Sequence, residues 1–234
     1  MAAALKLSYL NHSGFTVETE SKVLVFDYYQ DPAGIVSSYA VGTKPLWFFV
    51  SHWHGDHFNK HIADFEQQTA QYIVNKDVKL KQVAADKLHP LDIYDTISID
   101  GVNITQYGST DEGGSFMVET DGSRIFHAGD LNWWHWMGDT DSNNAAAKEM
   151  YDKEMSHLEG QVIDVAFFPV DARLEAAREW GILGFLDKVK ITKCLVPMHY
   201  FGTPWQPSID FQAKHDDVPL WIPREGGNSI TILL

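Results

Sequence analysis

The chain has 234 residues, enough for a well-buried domain, and its 44% hydrophobic and 13% aromatic content indicates a globular core and excludes a chain that is disordered throughout. A formal net charge of −14, spread along the chain, argues against nucleic acid as a partner, because a phosphate backbone needs clustered Lys and Arg. The single cysteine, Cys194, rules out an intramolecular disulfide and fits a reducing cytoplasm.

Residues 1–6 show no basic stretch followed by an apolar one, so no signal peptide is expected. No apolar run approaches the ~20 residues that span a bilayer, so no membrane segment is expected either. Short strands are expected at residues 5–10, 14–18 and 22–26, divided by polar turns. Residues 46–50 (Leu-Trp-Phe-Phe-Val) form a continuous apolar run, the pattern of a strand buried on both faces. Residues 60–68 carry a helical period, 71–74 read as a strand and 78–87 as a short helix.

Strands return at 93–99, 102–107, 115–119 and 124–127, with Asp100-Gly101 and Asp121-Gly122 as tight hairpin turns. A helix at 143–158 leads into a β-α-β rhythm: strand 162–168, helix 174–188, strand 193–198 and a short helix at 209–214. Closing strands are expected near 220–222 and 229–233. Cys194 lies in the apolar run Cys-Leu-Val-Pro-Met and reads as a small core residue, not a nucleophile. No linker-like tract divides the chain, which predicts one domain over residues 1–234, with two packed sheets and helices outside.

The chemistry concentrates directly after the apolar strand, in Ser51-His52-Trp53-His54-Gly55-Asp56-His57. Imidazole and carboxylate are ligands for zinc, manganese or iron. Residues two apart in an extended stretch point the same way, so His52 and His54 can grip one ion. Gly55 lets the chain turn, so Asp56 and His57 can face a second centre beside it. A cluster of solvated or core histidines is the bland alternative, but packing does not ask for four such ligands in six residues at a strand end.

Three later points lie at predicted strand ends. Phe126-His127-Ala128-Gly129-Asp130 offers a carboxylate able to bridge two cations, though an aspartate there also suits a turn or helix cap. Val196-Pro197-Met198-His199-Tyr200 ends an apolar strand in a histidine, which in isolation is as often structural. The loop at 107–114, Tyr-Gly-Ser-Thr-Asp-Glu-Gly-Gly, carries carboxylates and reads equally well as a surface turn.

On these residues the chain resembles the metallo-β-lactamase fold superfamily of metallohydrolases. The H-x-H-x-D-H block, the later Gly-Asp and the late strand-end His match in type, order and spacing. The segment Tyr9-Leu10-Asn11-His12-Ser13-Gly14-Phe15, with Val25-Phe26-Asp27 after it, looks most like the branch that includes L-ascorbate-6-phosphate lactonase. The resemblance implies a four-layer α/β/β/α sandwich of two mixed sheets, with the site at one edge between them. It also implies two divalent ions, zinc first, with manganese or iron as alternatives. His52 and His54 would hold one, Asp56, His57 and His199 the other, with Asp130 bridging.

One departure matters: relatives of this type supply a further histidine to the first ion, and none lies between His89 and His127 here. Asp111 is the first candidate to replace it, making that site richer in oxygen; Ser109, Thr110 or His12 are others, or the site stays partly empty. The expected activity is a dinuclear metal-dependent hydrolase acting on a small, anionic or sugar-like lactone, ester or phosphodiester. Asp56 would orient or deprotonate the attacking water, and His12 or Tyr200 would donate a proton or bind an oxyanion. A mononuclear or non-catalytic metal-binding protein is the alternative. His127 and Asp27 read as residues that orient ligands. The tryptophans of Leu131-Asn132-Trp133-Trp134-His135-Trp136 suit core packing, with a substrate-pocket wall as the rival role. A homo-oligomer is compatible with the sequence.

Overall fold

The computed structural model describes residues 4–234; residues 1–3, the start of the segment read for a leader, lie outside the described residues. The first sheet is built from β1 (Ala4–Asn11), β2 (Gly14–Glu18), β3 (Val23–Phe26), β4 (Leu46–Val50), β5 (Thr69–Asn75) and β6 (Leu88–Leu91). The final strand, β13 (Ser229–Leu233), returns to pair antiparallel with β1, giving the order β13-β1-β2-β3-β4-β5-β6. The second sheet runs β12-β11-β10-β9-β8-β7, from β7 (Thr96–Ile99), β8 (Val102–Tyr107), β9 (Ser115–Thr120), β10 (Ser123–His127), β11 (Val162–Pro169) and β12 (Lys190–Met198). The helices are α1 (Ile35–Ala40), α2 (Asp141–Leu158), α3 (Trp180–Leu186) and α4 (Ile209–Lys214).

The alternation along β4 shows how the layers form. Trp47 and Phe49 face the second sheet in a core shared with Phe116, Val118, Phe126 and Phe167. Leu46, Phe48 and Val50 face the other way, into a cluster covered by Val36 of α1 and by Ile62 of the 3-10 segment Lys60–Phe65. A parallel strand covered on both faces needs apolar residues at every position, which is why this run lacks alternation. On the far side, Tyr151 and Met155 of α2 and Ile182 and Phe185 of α3 join the second sheet's core. The layers are helix, sheet, sheet, helix. Cys194 is buried in this core, and burial pushes its thiol up to about 12, in keeping with a packing role.

Most expected elements are present, and the differences have local causes. The helix expected at 78–87 is only a 3-10 turn at Ala85–Lys87; Val78 and Leu80 are apolar because they plug the outer cluster from an irregular stretch. The helix expected at 174–188 breaks into the 3-10 segment Ala172–Ala177, itself interrupted at Glu175 (φ 53°), and α3. Residues 220–222 give a single bridge, Leu195 to Leu220, instead of a strand. The helix expected from 143 starts earlier, at Asp141, because the Thr140 hydroxyl accepts a hydrogen bond from the Asn143 amide. Strand β6 and helix α1 were not expected; each is too short to show a period.

The topology places the site. Strands β3, β4 and β5 run parallel in one sheet and β10, β11 and β12 in the other. Parallel strands bring their carboxyl ends to one edge, where ligand-binding loops of α/β proteins gather. Asp27, residues 51–57, Asp130, Asp171 and His199 all follow such ends.

Candidate metal centre

Two compact groups of ligand atoms meet at this edge. One is His52, His54 and Asp130; the other is His12, Asp56, His57 and His199, the atoms of each lying within 4.8 Å of one another. Asp130 stands between them. Its Oδ2 is 3.4 Å from His52 Nε2, while its Oδ1 is 3.0 Å from His57 Nε2 and 3.3 Å from His199 Nε2.

Carboxylates behind the histidines fix their orientation. Asp27, fully enclosed, accepts hydrogen bonds from the Ser51 amide and hydroxyl at 2.8 and 2.7 Å. With its proton given to Asp27, Ser51 Oγ accepts from His52 Nδ1 at 2.9 Å. Asp27 Oδ2 also meets His57 Nδ1 at 2.8 Å, and Asp171 Oδ2 meets His199 Nδ1 at 3.1 Å. In each case the Nδ1 proton is committed backwards and the Nε2 lone pair faces Asp130. This carboxylate–imidazole arrangement is the one that aims a histidine at a metal.

The residues present fit a pair of cations. His12 Nε2, His57 Nε2 and Asp130 Oδ1 are buried without a hydrogen-bond partner among the described residues. Orphaned buried polar atoms are costly unless something else satisfies them. His52 Nε2 faces His54 Nδ1 at 3.1 Å, an approach of two nitrogens that needs a proton or cation to reconcile it.

The electrostatics agree. Burial opposes charge on His57, yet Asp130 and Asp27 raise it well above its ordinary value. Burial would raise Asp130, but His57 and His199 hold it well below the usual carboxylate range. The His12 imidazole, 3.4 Å from it, likewise lowers Asp56, and burial lowers His12. The protein demands positive charge at this point.

Of the sequence candidates, His52, His54, Asp56, His57, Asp130 and His199 come together. His12, considered as a stand-in for the first ion, lies instead in the second group, 3.4 Å from Asp56 Oδ2 and with its ring centroid 4.0 Å from that of His199. Asp111 is outside both compact groups: its Oδ2 is 3.7 Å from His54 Nδ1, and its side chain is 47% exposed at the rim. Thr110 is occupied, its hydroxyl bonding to the Asn132 carbonyl at 2.6 Å and accepting from the Asn132 amide. Tyr200 turns away from the cleft into a separate hollow with Tyr9 and Arg224, and burial raises its phenol strongly.

The loop over residues 108–114 bears on the site through its backbone. Gly113 has φ 64°, and a Cβ there would collide with the Ser51 carbonyl and the His52 side chain, so only glycine lets this loop clamp the ligand segment. Gly129 is similar: its φ is 54° and Ser51 lies against it.

The cleft above the ligands has a volume of about 370 Å³. Trp134 and Trp136 form one wall, their rings stacked at 5.9 Å, with Phe201 and Arg173 also on the lining. Trp133 points elsewhere, packing against Trp180 and Tyr151. The tryptophan segment thus divides between wall and core. His127 is buried, stacked on Phe26 and bonded to the Ser13 carbonyl, supporting the floor without touching the ligand groups.

Sequence reasoning missed Asp171, Arg173 and the role of Ser51. Asp171 follows the strand-end Pro169-Val170, so a carboxylate after a parallel strand was the available signal. Nothing local pointed to its partner, His199.

No protein-family model matches the chain. It is 27% identical over 223 residues to a protein named UPF0173 metal-dependent hydrolase from Alkaliphilus metalliredigens, covering 86% of this chain and 87% of that one. Among solved structures it is similar to Igni18, described as a novel metallo hydrolase from the archaeon Ignicoccus hospitalis, with TM-score 0.65, 18% identity and coverage of 97% and 98%. It is also similar to the metallo-β-lactamase fold protein YhfI from Bacillus subtilis, with TM-score 0.56, 14% identity and coverage of 98% and 99%. The fold is the metallo-β-lactamase fold. Among the described residues, no helix is long and apolar enough to cross a membrane.

Proposed function

We propose that this protein is a metal-dependent hydrolase of small molecules, with two divalent ions side by side. The observation that carries the reading is Asp130, buried between two groups of aimed histidines with one oxygen toward each. His52 and His54 would hold one ion and His12, Asp56, His57 and His199 the other, with Asp130 shared. The name of the Alkaliphilus relative supports the hydrolytic reading. Zinc suits the histidine-rich second group; manganese or iron is the alternative where oxygen ligands weigh more.

Bound there, such ions would supply an acidified water and polarise the oxygen of the bond to be cut. The chain's own residues do the rest. Asp56, 40% exposed at the cleft, can accept a proton from water on a carboxylate oxygen. His12 Nε2, 3.4 Å from Asp56 Oδ2, secures that carboxylate's orientation. Trp134, Trp136 and Phe201 keep bulk water from one side of the reacting bond. No serine or cysteine nucleophile is required.

The substrate is read as a lactone, ester or phosphodiester of modest size. A cleft of about 370 Å³ suits a small molecule, and the net charge of −14 disfavours nucleic acid. The early Asn-His-Ser-Gly segment supports the lactonase-like reading, and the single cysteine supports a cytoplasmic one. A mononuclear enzyme using only the second group is the second reading, favoured by the half-open first group, where the His54 side chain is 30% exposed.

The test measures metal per chain, then hydrolysis of lactone, ester and phosphodiester panels with and without chelator. Two ions per chain and chelator-sensitive turnover are expected. Full occupancy with no such turnover on any substrate would overturn the hydrolase reading, and one ion with turnover would favour the mononuclear one.

A further inference from the structure

The geometry points to Arg173 as an anion anchor in the cleft, selecting substrates that carry a carboxylate or phosphate away from the bond to be cut; this rests on the small-molecule hydrolase reading above. Among the described residues, Arg173 is the one permanent cation on the lining of a cleft otherwise bordered by Asp56, Asp111 and Asp130. Its guanidinium is held in place before any ligand arrives. Asp171, fully buried, accepts from its Nε at 3.0 Å and from its Nη2 at 2.6 Å. The guanidinium carbon lies 3.4 Å from the centre of the Phe201 ring and 5.4 Å from that of Trp136.

These contacts leave one approach. The Nε–Nη2 edge belongs to Asp171, and Phe201 covers a face. Among the described residues no hydrogen bond engages Nη1, so the Nη1–Nη2 edge remains, with the side chain 45% exposed. An in-plane pair of N–H donors matches two oxygens of a carboxylate or phosphate and offers little to a neutral group. Because the fork is already fixed by Asp171 and the rings, little conformational freedom is lost when an anion docks.

The anchor is tied to the metal centre. Asp171 Oδ2 receives both Arg173 Nη2 and His199 Nδ1, so the anion site and a ligand of the second group share one carboxylate. A substrate reaching both must be short, with a flat or sugar-like middle lying along Trp134 and Trp136.

The test uses the metal-loaded full chain. Tryptophan fluorescence titrations compare benzoate with its neutral counterpart benzamide, and kinetics compare γ-butyrolactone with the same ring bearing a carboxylate. Wild type is expected to prefer the anionic member at least tenfold in affinity and in KM. Arg173→Gln should bring both ratios near one, Arg173→Lys should fall between, and Phe201→Leu should lower the preference while leaving the Arg173–Asp171 pair in place. Should Arg173→Gln fail to fold, the wild-type ratio and Phe201→Leu still decide. Equal binding of benzoate and benzamide by wild type would overturn the proposal. So would an anion preference that survives in Arg173→Gln alongside a fall in metal content, since that outcome makes Arg173 a brace for Asp171 alone. If no lactone is hydrolysed, the fluorescence ratio still reads the anchor, and the two failures stay distinct.

Discussion

The second ligand group has four side chains and the first three, and the difference extends to what stands behind them. In the second group, His57 and His199 are each backed by a buried carboxylate, Asp27 and Asp171. His12 is locked by the chain itself: its carbonyl accepts from the His199 amide and its own amide donates to the Tyr9 hydroxyl. In the first group only His52 is braced, through Ser51, while His54 stands at the rim with the exposed Asp111 as its nearest carboxylate. A ligand set fixed before binding loses less freedom when the ion arrives. The comparison therefore teaches that the two sites should differ in affinity, the second filling first and emptying last.

Asp130 is the residue the two groups share, so its loss should erase the comparison. Asp130→Ala is expected to bring metal content below one ion per chain. It should also lower turnover at least about a thousandfold, ~4 kcal/mol of transition-state stabilisation. Elemental analysis and hydrolysis rates check both; a variant that retains two ions would break the shared-carboxylate geometry.

The carboxylates behind the histidines separate the groups. Asp171→Asn should weaken metal binding at the second site by roughly 10–100-fold and leave the first nearly intact, whereas Asp27→Asn should weaken both by that order. Asp27 reaches His57 directly and His52 through Ser51, which Asp171 does not. Calorimetric metal titration of the two variants tells them apart, and identical isotherms would contradict the wiring.

Graded chelation sharpens the order of loss. Dialysis of wild type against rising dipicolinate should remove the ions in two steps, separated by about tenfold in free chelator, the scale of a 1.4 kcal/mol difference in site affinity. A single step would show the groups to be equivalent. The smallest effect is reserved for the rim: Asp111→Ala should change first-site affinity by less than about threefold, in the range of an exposed charge pair. His54→Ala should remove that ion altogether. A large loss in Asp111→Ala would restore Asp111 as a ligand and make the two groups equal in number.

Much of this arrangement was legible in the chain. The block at residues 52–57, Asp130 and His199 could be named because ligand chemistry concentrated at strand ends leaves a local mark. Asp27 could be named as an orienting residue for the same reason. Ser51 carried no such mark, although it adjoins the block, because its hydroxyl acquires a purpose only when β3 and β4 lie side by side. Where regular structure was misread, as at 78–87, apolar residues of a loop were placed by the sheet they cover and not by their own period.

By itself the sequence determined the donor types, the strands that carry them and the layered class, because periodicity and ligand chemistry are properties of neighbouring residues. Only the tertiary structure decided which donors share a centre. It put His12 with Asp56 and not with His54, drew Asp171 behind His199, and set Arg173 on the cleft wall. Each of these placements depends on strand ends meeting at one edge: the parallel packing of β3 with β4 and of β10, β11 and β12 brings most of them there, and the antiparallel β1–β2 hairpin delivers His12.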